Sequence, residues 1–123
     1  MMSLQEEKID APIYFKEYID GVIKLNIGDY NEPVIVVDNK IVAYDKNIAS
    51  VKDIQIMHLD IILKSNPEVM LIGTGSRQTL PAVSIVSELA KQGKSADFMS
   101  SEQACKTYNL LVNEGRNVSC III

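Results

Sequence analysis

The sequence has no tryptophan and few other aromatic residues, a single histidine and only two cysteines among its 123 residues. One histidine, His58, cannot supply a two-histidine metal site, and the aspartates show no ligand spacing, so we expect neither a metal nor a cofactor. Cys105 and Cys120 lack the C-x-x-C spacing of a redox pair. We therefore expect two reduced, buried thiols, and local sequence identifies no catalytic residues.

The chain also lacks a long apolar run and an excess of positive charge. Its longest apolar segments, around Met70 and Ile122, fall well short of the roughly 20 residues that span a bilayer, so membrane insertion is not expected. The formal net charge of -4 gives no general attraction to nucleic acid. The first ten residues are polar and unlike a secretory signal or a transit peptide, which predicts a cytoplasmic location.

What the chain does contain is the composition of an ordinary globular protein, with 47% hydrophobic and 23% charged residues. Its length suits one domain that buries a core without disulfides. We expect residues 1–11 to form a flexible N-terminus and residues 12–123 to form a single α/β domain.

The first half predicts two β-hairpins. Residues 13–19 and 22–27 are β-prone and are separated by Asp20-Gly21, a two-residue turn in which both positions tolerate positive φ. The first of these strands contains charged residues and should lie near a sheet edge.

The second predicted hairpin follows a turn cluster at residues 28–33. It pairs the apolar run 34–37 with residues 41–44 around a turn at residues 38–40. Because every residue of the run 34–37 is apolar, we expect this strand to be central in its sheet.

The second half alternates strands and helices. The predicted elements are a helix over residues 53–66, a strand over 69–72, a helix over 81–92, a strand over 94–99, a helix from the capping sequence at 100–103 to Gly115, and a strand over 118–123. The apolar face of the second helix is predicted to consist of Ala82, Ile85, Val86 and Leu89. The fold class is therefore α/β, a single three-layer domain with a mixed central β-sheet flanked by helices and an N-terminal pair of β-hairpins.

The stretch that organises this half is the turn from Gly73 to Arg77, between a buried strand and a helix whose first turn should contain Pro81. We expect both of its glycines to adopt dihedral angles closed to other residues. Such a turn lies at the carboxyl end of a strand, where backbone N–H groups face a ligand. Two interpretations stay open, a tight turn with a structural role or an anion cradle in which Arg77 supplies charge and Thr74 or Ser76 supplies a hydroxyl donor.

Two common nucleotide motifs are not complete in this turn. Gly73-Thr74-Gly75 begins like a dinucleotide fingerprint, but Gln78 stands where the third glycine belongs. A P-loop is excluded because no Gly-Lys-Ser/Thr sequence follows at the required spacing.

Two single residues outside the turn have the chemistry of a site. His58 is predicted to be a surface or boundary residue of the first helix. Cys105 lies about one turn after the capping sequence, where the helix field could lower its pKa slightly, although a structural thiol is the preferred interpretation. A cysteine hydrolase assembled from residues distant in sequence is possible but has no support in the residues.

Several segments taken together resemble a small uncharacterised prokaryotic family whose mitochondrial relative is the respiratory complex I (NADH dehydrogenase) assembly factor 3. The segments are residues 71–75, Arg77-Gln78, Pro81, Met99, residues 104–111 and residues 114–118. The resemblance implies a single α/β domain with a role in assembly. Relatives often have arginine at the position of Lys106, and an acidic residue and threonine at Ser100-Ser101.

The same resemblance implies where the ligand-binding residues lie. They are Gly73, Thr74, Gly75 and Arg77 in the turn, and Cys105, Thr107, Tyr108 and Asn109 on the third helix.

Two functional hypotheses follow, from different classes of protein. The leading one is a non-enzymatic binding or assembly factor that contacts a protein partner and binds a small anionic ligand at the turn. The alternative is a small enzyme or metabolite sensor whose pocket joins the turn to Cys105 and Tyr108. Thiol reactivity at Cys105 separates the two.

Overall fold

The computed structural model describes residues 13–44 and 48–123, so the predicted flexible N-terminus at residues 1–11 lies outside the described residues. The strands are β1 (Phe15–Ile19), β2 (Val22–Leu25), β3 (Gly28–Tyr30), β4 (Val34–Val37), β5 (Lys40–Tyr44), β6 (Val69–Gly73), β7 (Asp97–Met99) and β8 (Val118–Ile122). The α-helices are α1 (Ile56–Leu63), α2 (Val83–Lys91) and α3 (Ser101–Asn113), and a short 3-10 helix spans Val51–Asp53.

Strands β1, β2 and β3 form a small antiparallel sheet. Its first turn is as predicted, with φ of 52° at Asp20 and 75° at Gly21. The prediction of a turn at residues 28–33 is wrong in its first half, because Gly28–Tyr30 pairs with β2 as a third strand. Pairing with Gly28–Tyr30 satisfies the backbone groups at the free edge of β2, and Tyr30 packs against the core. The first of the two predicted hairpins is therefore a three-stranded meander.

The main sheet has five strands in the order β5-β4-β8-β6-β7. Strand β6 is parallel to both β7 and β8, whereas β4 is antiparallel to both β5 and β8. The sheet is therefore mixed, and the second predicted hairpin is confirmed as β4 and β5. The central position of Val34–Val37 is also confirmed, since all four of its residues are buried.

Two hydrophobic clusters cover the two faces of this sheet. One face packs against α1, α2 and the 3-10 helix, and the other packs against α3 and the three-stranded sheet. Helices α2 and α3 therefore lie on opposite faces. The predicted α/β class with helices flanking a mixed sheet is confirmed, with one outer layer built from both a helix and a small sheet.

The first helix differs from prediction at both ends. It was expected over residues 53–66, but α1 spans Ile56–Leu63. Asp53 instead ends the 3-10 helix, where its carboxylate accepts hydrogen bonds from the backbone N–H groups of Ala49 and Ser50. His58 is also not the predicted surface or boundary residue, because it is only 7% exposed. Its Nδ1 accepts a hydrogen bond from the N–H of Gln55, 2.9 Å away, at the start of α1.

The predictions for the second helix are wrong in two respects, and the predicted start of the third is right. Pro81 precedes the N-cap residue Ala82 instead of lying in the first turn of α2. Of the predicted apolar face, Ile85 and Leu89 are buried, but Ala82 and Val86 are exposed because only one side of this helix reaches the sheet. The predicted start of α3 is confirmed, since the Ser100 hydroxyl accepts a hydrogen bond from the N–H of Gln103.

Candidate functional site

The two glycines of the turn after β6 are required for different reasons. Gly75 has φ of +102°, which L side chains rarely adopt, as the sequence predicted. Gly73 is not in that region of φ. A Cβ atom at Gly73 would instead lie 2.9 Å from both Cα and Oγ of Ser101. The expectation for Gly73 is therefore wrong. Glycine is required at this position because α3 packs closely against the end of β6.

The backbone of the turn is hydrogen-bonded within the chain. The N–H of Thr74 donates to the carbonyl of Met99 at 2.8 Å, and the N–H of Gly75 donates to Ser101 Oγ at 2.8 Å. In return the N–H of Ser101 donates to the carbonyl of Gly75 at 2.7 Å. The N–H groups of Thr74 and Gly75 therefore do not face a ligand, which corrects the prediction for the first part of the turn.

The hydroxyl of Thr74 is also engaged in the structure of the turn. Thr74 is 8% exposed, and its Oγ1 lies 2.6 Å from the carbonyl oxygen of Arg77 and 3.1 Å from that of Met99. It accepts a hydrogen bond from the N–H of Thr79 at 3.0 Å. Of the two predicted hydroxyl donors, Thr74 holds the loop, whereas Ser76 is exposed.

In open α/β sheets, ligands usually bind where neighbouring parallel strands lead to helices on opposite faces of the sheet. Here those strands are β6 and β7, which lead to α2 and α3. The hydrogen bonds around Thr74, Gly75 and Ser101 join the two strand ends, and Gln78 Nε2 donates to the carbonyl of Phe98 at 2.8 Å. The polar groups of the turn at this usual ligand position are therefore hydrogen-bonded within the chain.

On the other side of the turn lies an open cleft of about 530 Å³. Its walls come from β1 and β2, the β3–β4 loop, the segment before the 3-10 helix, the turn after β6 and the end of β8. The polar and charged side chains that line it are those of Tyr18, Asn31, Glu32, Ser50, Thr74, Ser76, Arg77 and Thr79. Four predicted site residues, at positions 74–77, contribute to this cleft.

The charged side chains of the cleft are Arg77 on the turn and Glu32 on the β3–β4 loop. Arg77 is exposed and Glu32 is half-buried. Within residues 13–44 and 48–123, neither belongs to an ion pair. Both side chains are therefore available to a bound molecule.

Three predicted residues of α3 have structural contacts. Asn109 Oδ1 accepts from the N–H of Phe15 at 2.9 Å, and its Nδ2 donates to the carbonyl of the same residue at 2.7 Å. The Tyr108 ring packs edge-on against the Phe15 ring, and its hydroxyl donates to Asn39 Oδ1 at 2.9 Å. Thr107 Oγ1 accepts from Gln103 Nε2 on the same helix. Asn109 and Tyr108 thus hold the small sheet and the β4–β5 turn against α3.

Cys105 lies apart from the turn. It borders a separate cavity of about 230 Å³ with Lys16, Glu17 and Glu102 among its walls. Burial, and secondarily the nearby Glu102 carboxylate, raises the pKa of Cys105 to about 12. Burial outweighs the lowering that the helix field could cause, in agreement with the preferred interpretation of a structural thiol. Within the described chain, Cys105 does not line the cleft at the turn and the turn does not line the cavity at Cys105, so neither of them joins the turn to Cys105.

The two cysteines are free and buried, as predicted. Burial raises the pKa of Cys120 above its ordinary value, and Cys105 adds to the shift. In the described ranges the structure holds no cluster of three or more metal-ligating side chains and no helix long and apolar enough to cross a membrane.

Sequence reasoning missed Ser101 and the far wall of the cleft. Ser101 is fully buried, and its hydroxyl donates to the carbonyl of Ile123 at 2.7 Å while it accepts from Gly75. Its neighbour Ser100 carries the recognisable capping signal, so the sequence offered no separate sign of this role. Glu32 and Ser50 lie in unrelated loops, and only the fold brings them to the turn.

The class of protein is therefore a mixed α/β protein in which α3 fixes the glycine turn after β6. A family model described as a protein of unknown function (DUF498/DUF598) matches residues 15–123. The chain belongs to this family.

Comparisons with individual proteins agree. The chain is 58% identical over 123 residues, 100% of both chains, to the "13 kDa major membrane protein" of Francisella tularensis subsp. holarctica (strain LVS). It is 25% identical over 124 residues, 99% of this chain and 70% of the relative, to NADH dehydrogenase (ubiquinone) 1 alpha subcomplex assembly factor 3 of Danio rerio. The predicted family relationship is therefore confirmed.

A solved structure also supports the fold. An NMR structure of a Xanthomonas campestris protein superposes with a TM-score of 0.79 at 29% identity, covering 99% of this chain and 92% of that one.

Proposed function

We propose that the protein is a non-enzymatic binding factor of the assembly-factor type, which contacts a protein partner at the cleft beside the turn and binds an anionic group there through Arg77. The relationship to a complex I assembly factor supports the assembly role. The position of Arg77 supports the site, because this exposed side chain stands on a rigid turn at the rim of a cleft. Guanidinium groups bind carboxylates and phosphates through paired donors.

A fixed backbone is what favours Arg77 over Arg116, the other arginine of the chain. The hydrogen bonds of Thr74, Gly75 and Ser101 fix the backbone on which Arg77 stands, so little ordering of the loop is needed on binding. Arg116, by contrast, lies 3.7 Å from Glu68 in an exposed ion pair. Its charge is already partly compensated, which makes it a suitable comparison.

The chemistry of Cys105 supports a non-enzymatic role. A thiol with a pKa of about 12 is protonated at neutral pH, and the thiolate is the nucleophilic form. Cys105 and Tyr108 also contact the core and the small sheet instead of the cleft.

Location forms part of the same proposal. Two free buried thiols suit a reducing compartment such as the cytoplasm. The name of the Francisella relative suggests contact with a membrane, which for this chain would take the form of peripheral attachment. Fractionation of native cells tests this: we expect the protein in the cytoplasmic fraction, whereas recovery with the membranes, released by a high-salt and carbonate wash if the attachment is peripheral, would contradict a cytoplasmic location.

Site-specific photocrosslinking tests the partner and the site together. A benzophenone amino acid at Ser76, on the cleft rim, should capture a defined protein in native cells, identified by mass spectrometry. The same group at Lys91, on the exposed side of α2, is the position control.

A further substitution in the same chain then tests whether the capture depends on the charge of Arg77. Arg77→Ala should reduce the Ser76 crosslink at least about tenfold, as expected for loss of a charge-assisted contact, and Arg116→Ala should not. Equal capture from Ser76 and Lys91, or a Ser76 crosslink insensitive to Arg77→Ala, would contradict the proposal.

A further inference from the structure

The lining of the cleft includes side chains of opposite charge. Among its described lining side chains, Arg77 is the cationic one and Glu32 is the carboxylate. They come from different loops, one after β6 and one between β3 and β4. Neither forms an ion pair within the described chain, so each charge is available.

This pairing has a consequence for ligand selection. A simple anion would gain from Arg77 but would be repelled by Glu32 across the same cleft, and a simple cation would meet the reverse situation. A molecule that carries both an anionic and a cationic group can pair with both Arg77 and Glu32.

The rest of the lining fits a peptide unit between these charges. A volume of about 530 Å³ lies within the usual range for small-molecule sites. Asn31 and Thr79 offer side-chain donors and acceptors, while the half-buried Pro33 and Ile123 supply apolar surface. The polar pair suits an amide group, and the apolar pair suits an aliphatic side chain.

From these observations we propose that the cleft binds a zwitterion of dipeptide size, with the carboxylate on Arg77 and the ammonium group on Glu32. This inference rests on the proposed function only in treating the cleft as the binding site. It narrows the ligand from any anion to a zwitterion.

Three matched probes test the proposal by NMR titration of the full chain. Glycyl-leucine carries both charges, N-acetyl-glycyl-leucine carries only the carboxylate, and glycyl-leucinamide carries only the ammonium group. We expect glycyl-leucine at millimolar concentration to shift the amide signals of residues 31–32, 48–50 and 74–79. Each single-charge probe should bind at least about fivefold more weakly, which corresponds to the loss of one charge-assisted contact.

Two substitutions assign the charges. Arg77→Ala should abolish the preference for glycyl-leucine over its amide, and Glu32→Gln should abolish the preference over the N-acetyl form. Arg116→Ala and Glu114→Gln, away from the cleft, are the matched controls and should preserve both preferences. The amide spectrum of each variant reports whether the fold is retained.

The outcomes separate this inference from the proposed function. If N-acetyl-glycyl-leucine binds as tightly as glycyl-leucine, the zwitterion proposal is overturned and an anion site remains. If none of the probes shifts the cleft signals, the proposal is likewise overturned, whereas the crosslinking result at Ser76 decides the partner contact independently.

Discussion

The turn after β6 and helix α3 both contain polar residues that the family resemblance implies bind a ligand, but they use them differently. On α3, the amide of Asn109 holds β1 and the hydroxyl of Tyr108 holds Asn39. In the turn, Thr74 is engaged in the same structural way, while Arg77 remains at the rim of a cleft. The difference teaches that a polar residue in a recognisable motif is a ligand candidate only when its donors and acceptors are not already satisfied within the chain.

The largest loss of stability should come from adding a side-chain atom where the turn packs against α3. Gly73→Ala places a Cβ atom 2.9 Å from the backbone Cα of Ser101, which cannot move without shifting α3. We expect destabilisation of about 3 kcal/mol or more, at the upper end of overpacking effects. Urea denaturation measures it.

Gly75→Ala is the contrasting variant. No atom lies within 4 Å of a Cβ there, so only the backbone conformation resists the change. We expect a cost of about 1–2 kcal/mol, typical of a non-glycine residue held at positive φ. A Gly73→Ala cost no larger than that of Gly75→Ala would remove the packing explanation.

The next effect concerns the structural role of α3. Asn109→Ala removes two hydrogen bonds to Phe15 and leaves the backbone N–H and carbonyl of this buried residue without those partners. We expect a loss of about 2 kcal/mol, measured by thermal or urea unfolding. Asn113→Ala, exposed at the end of the same helix, is the control and should change stability by less than about 0.5 kcal/mol. Since Asn→Ala improves helix propensity at both positions, an equal loss at Asn113 would show that the hydrogen bonds to Phe15 are not its source.

Cys105 provides a test through pH. The folded protein raises the pKa of this thiol from its ordinary value of 9.0 to about 12, so the folded state holds the proton more tightly than the unfolded chain. The resulting stability is fully present below pH 9 and is lost as pH rises from about 9 towards 12. The urea concentration at the midpoint of unfolding should therefore decrease as the pH rises above 9. In Cys105→Ala this decrease should be less steep.

A reactivity measurement complements this pH series. Native Cys105 should react with iodoacetamide at pH 8 at least about 100-fold more slowly than in urea, because the thiolate is scarce and buried. Labelling at the rate of an ordinary exposed thiol would restore the enzyme hypothesis.

The smallest effect on stability should come from Arg77. We expect Arg77→Ala to change the free energy of unfolding by about 0.5 kcal/mol or less, since this exposed side chain makes no ion pair in the described chain. Arg116→Ala loses an exposed pair with Glu68 and should cost no more than about 1 kcal/mol. If Arg77→Ala unfolds the protein and Arg116→Ala does not, Arg77 is a structural clamp and the site loses its main support.

Features that depend on a few neighbouring residues could be predicted from the sequence. The Asp20-Gly21 turn, the buried run Val34–Val37 and the Ser100 cap each follow from local backbone chemistry, and all three are present. The strand–glycine–helix pattern also marked the turn as a candidate site; residues 74–77 line the cleft, and binding there stays a prediction. The third strand was missed because its pairing with β2, and not the turn-forming tendency of residues 28–33, determines its conformation.

The tertiary structure decided which candidates share a surface and which residues are already occupied. Gly75 meets the Ser101 hydroxyl 26 positions away, and Phe15 meets Asn109 at a separation of 94. No local pattern encodes such contacts, because they depend on which helix packs on which face of the sheet. For the same reason Glu32 faces the cleft of Arg77, while Cys105, expected at that site, is buried beside a different cavity.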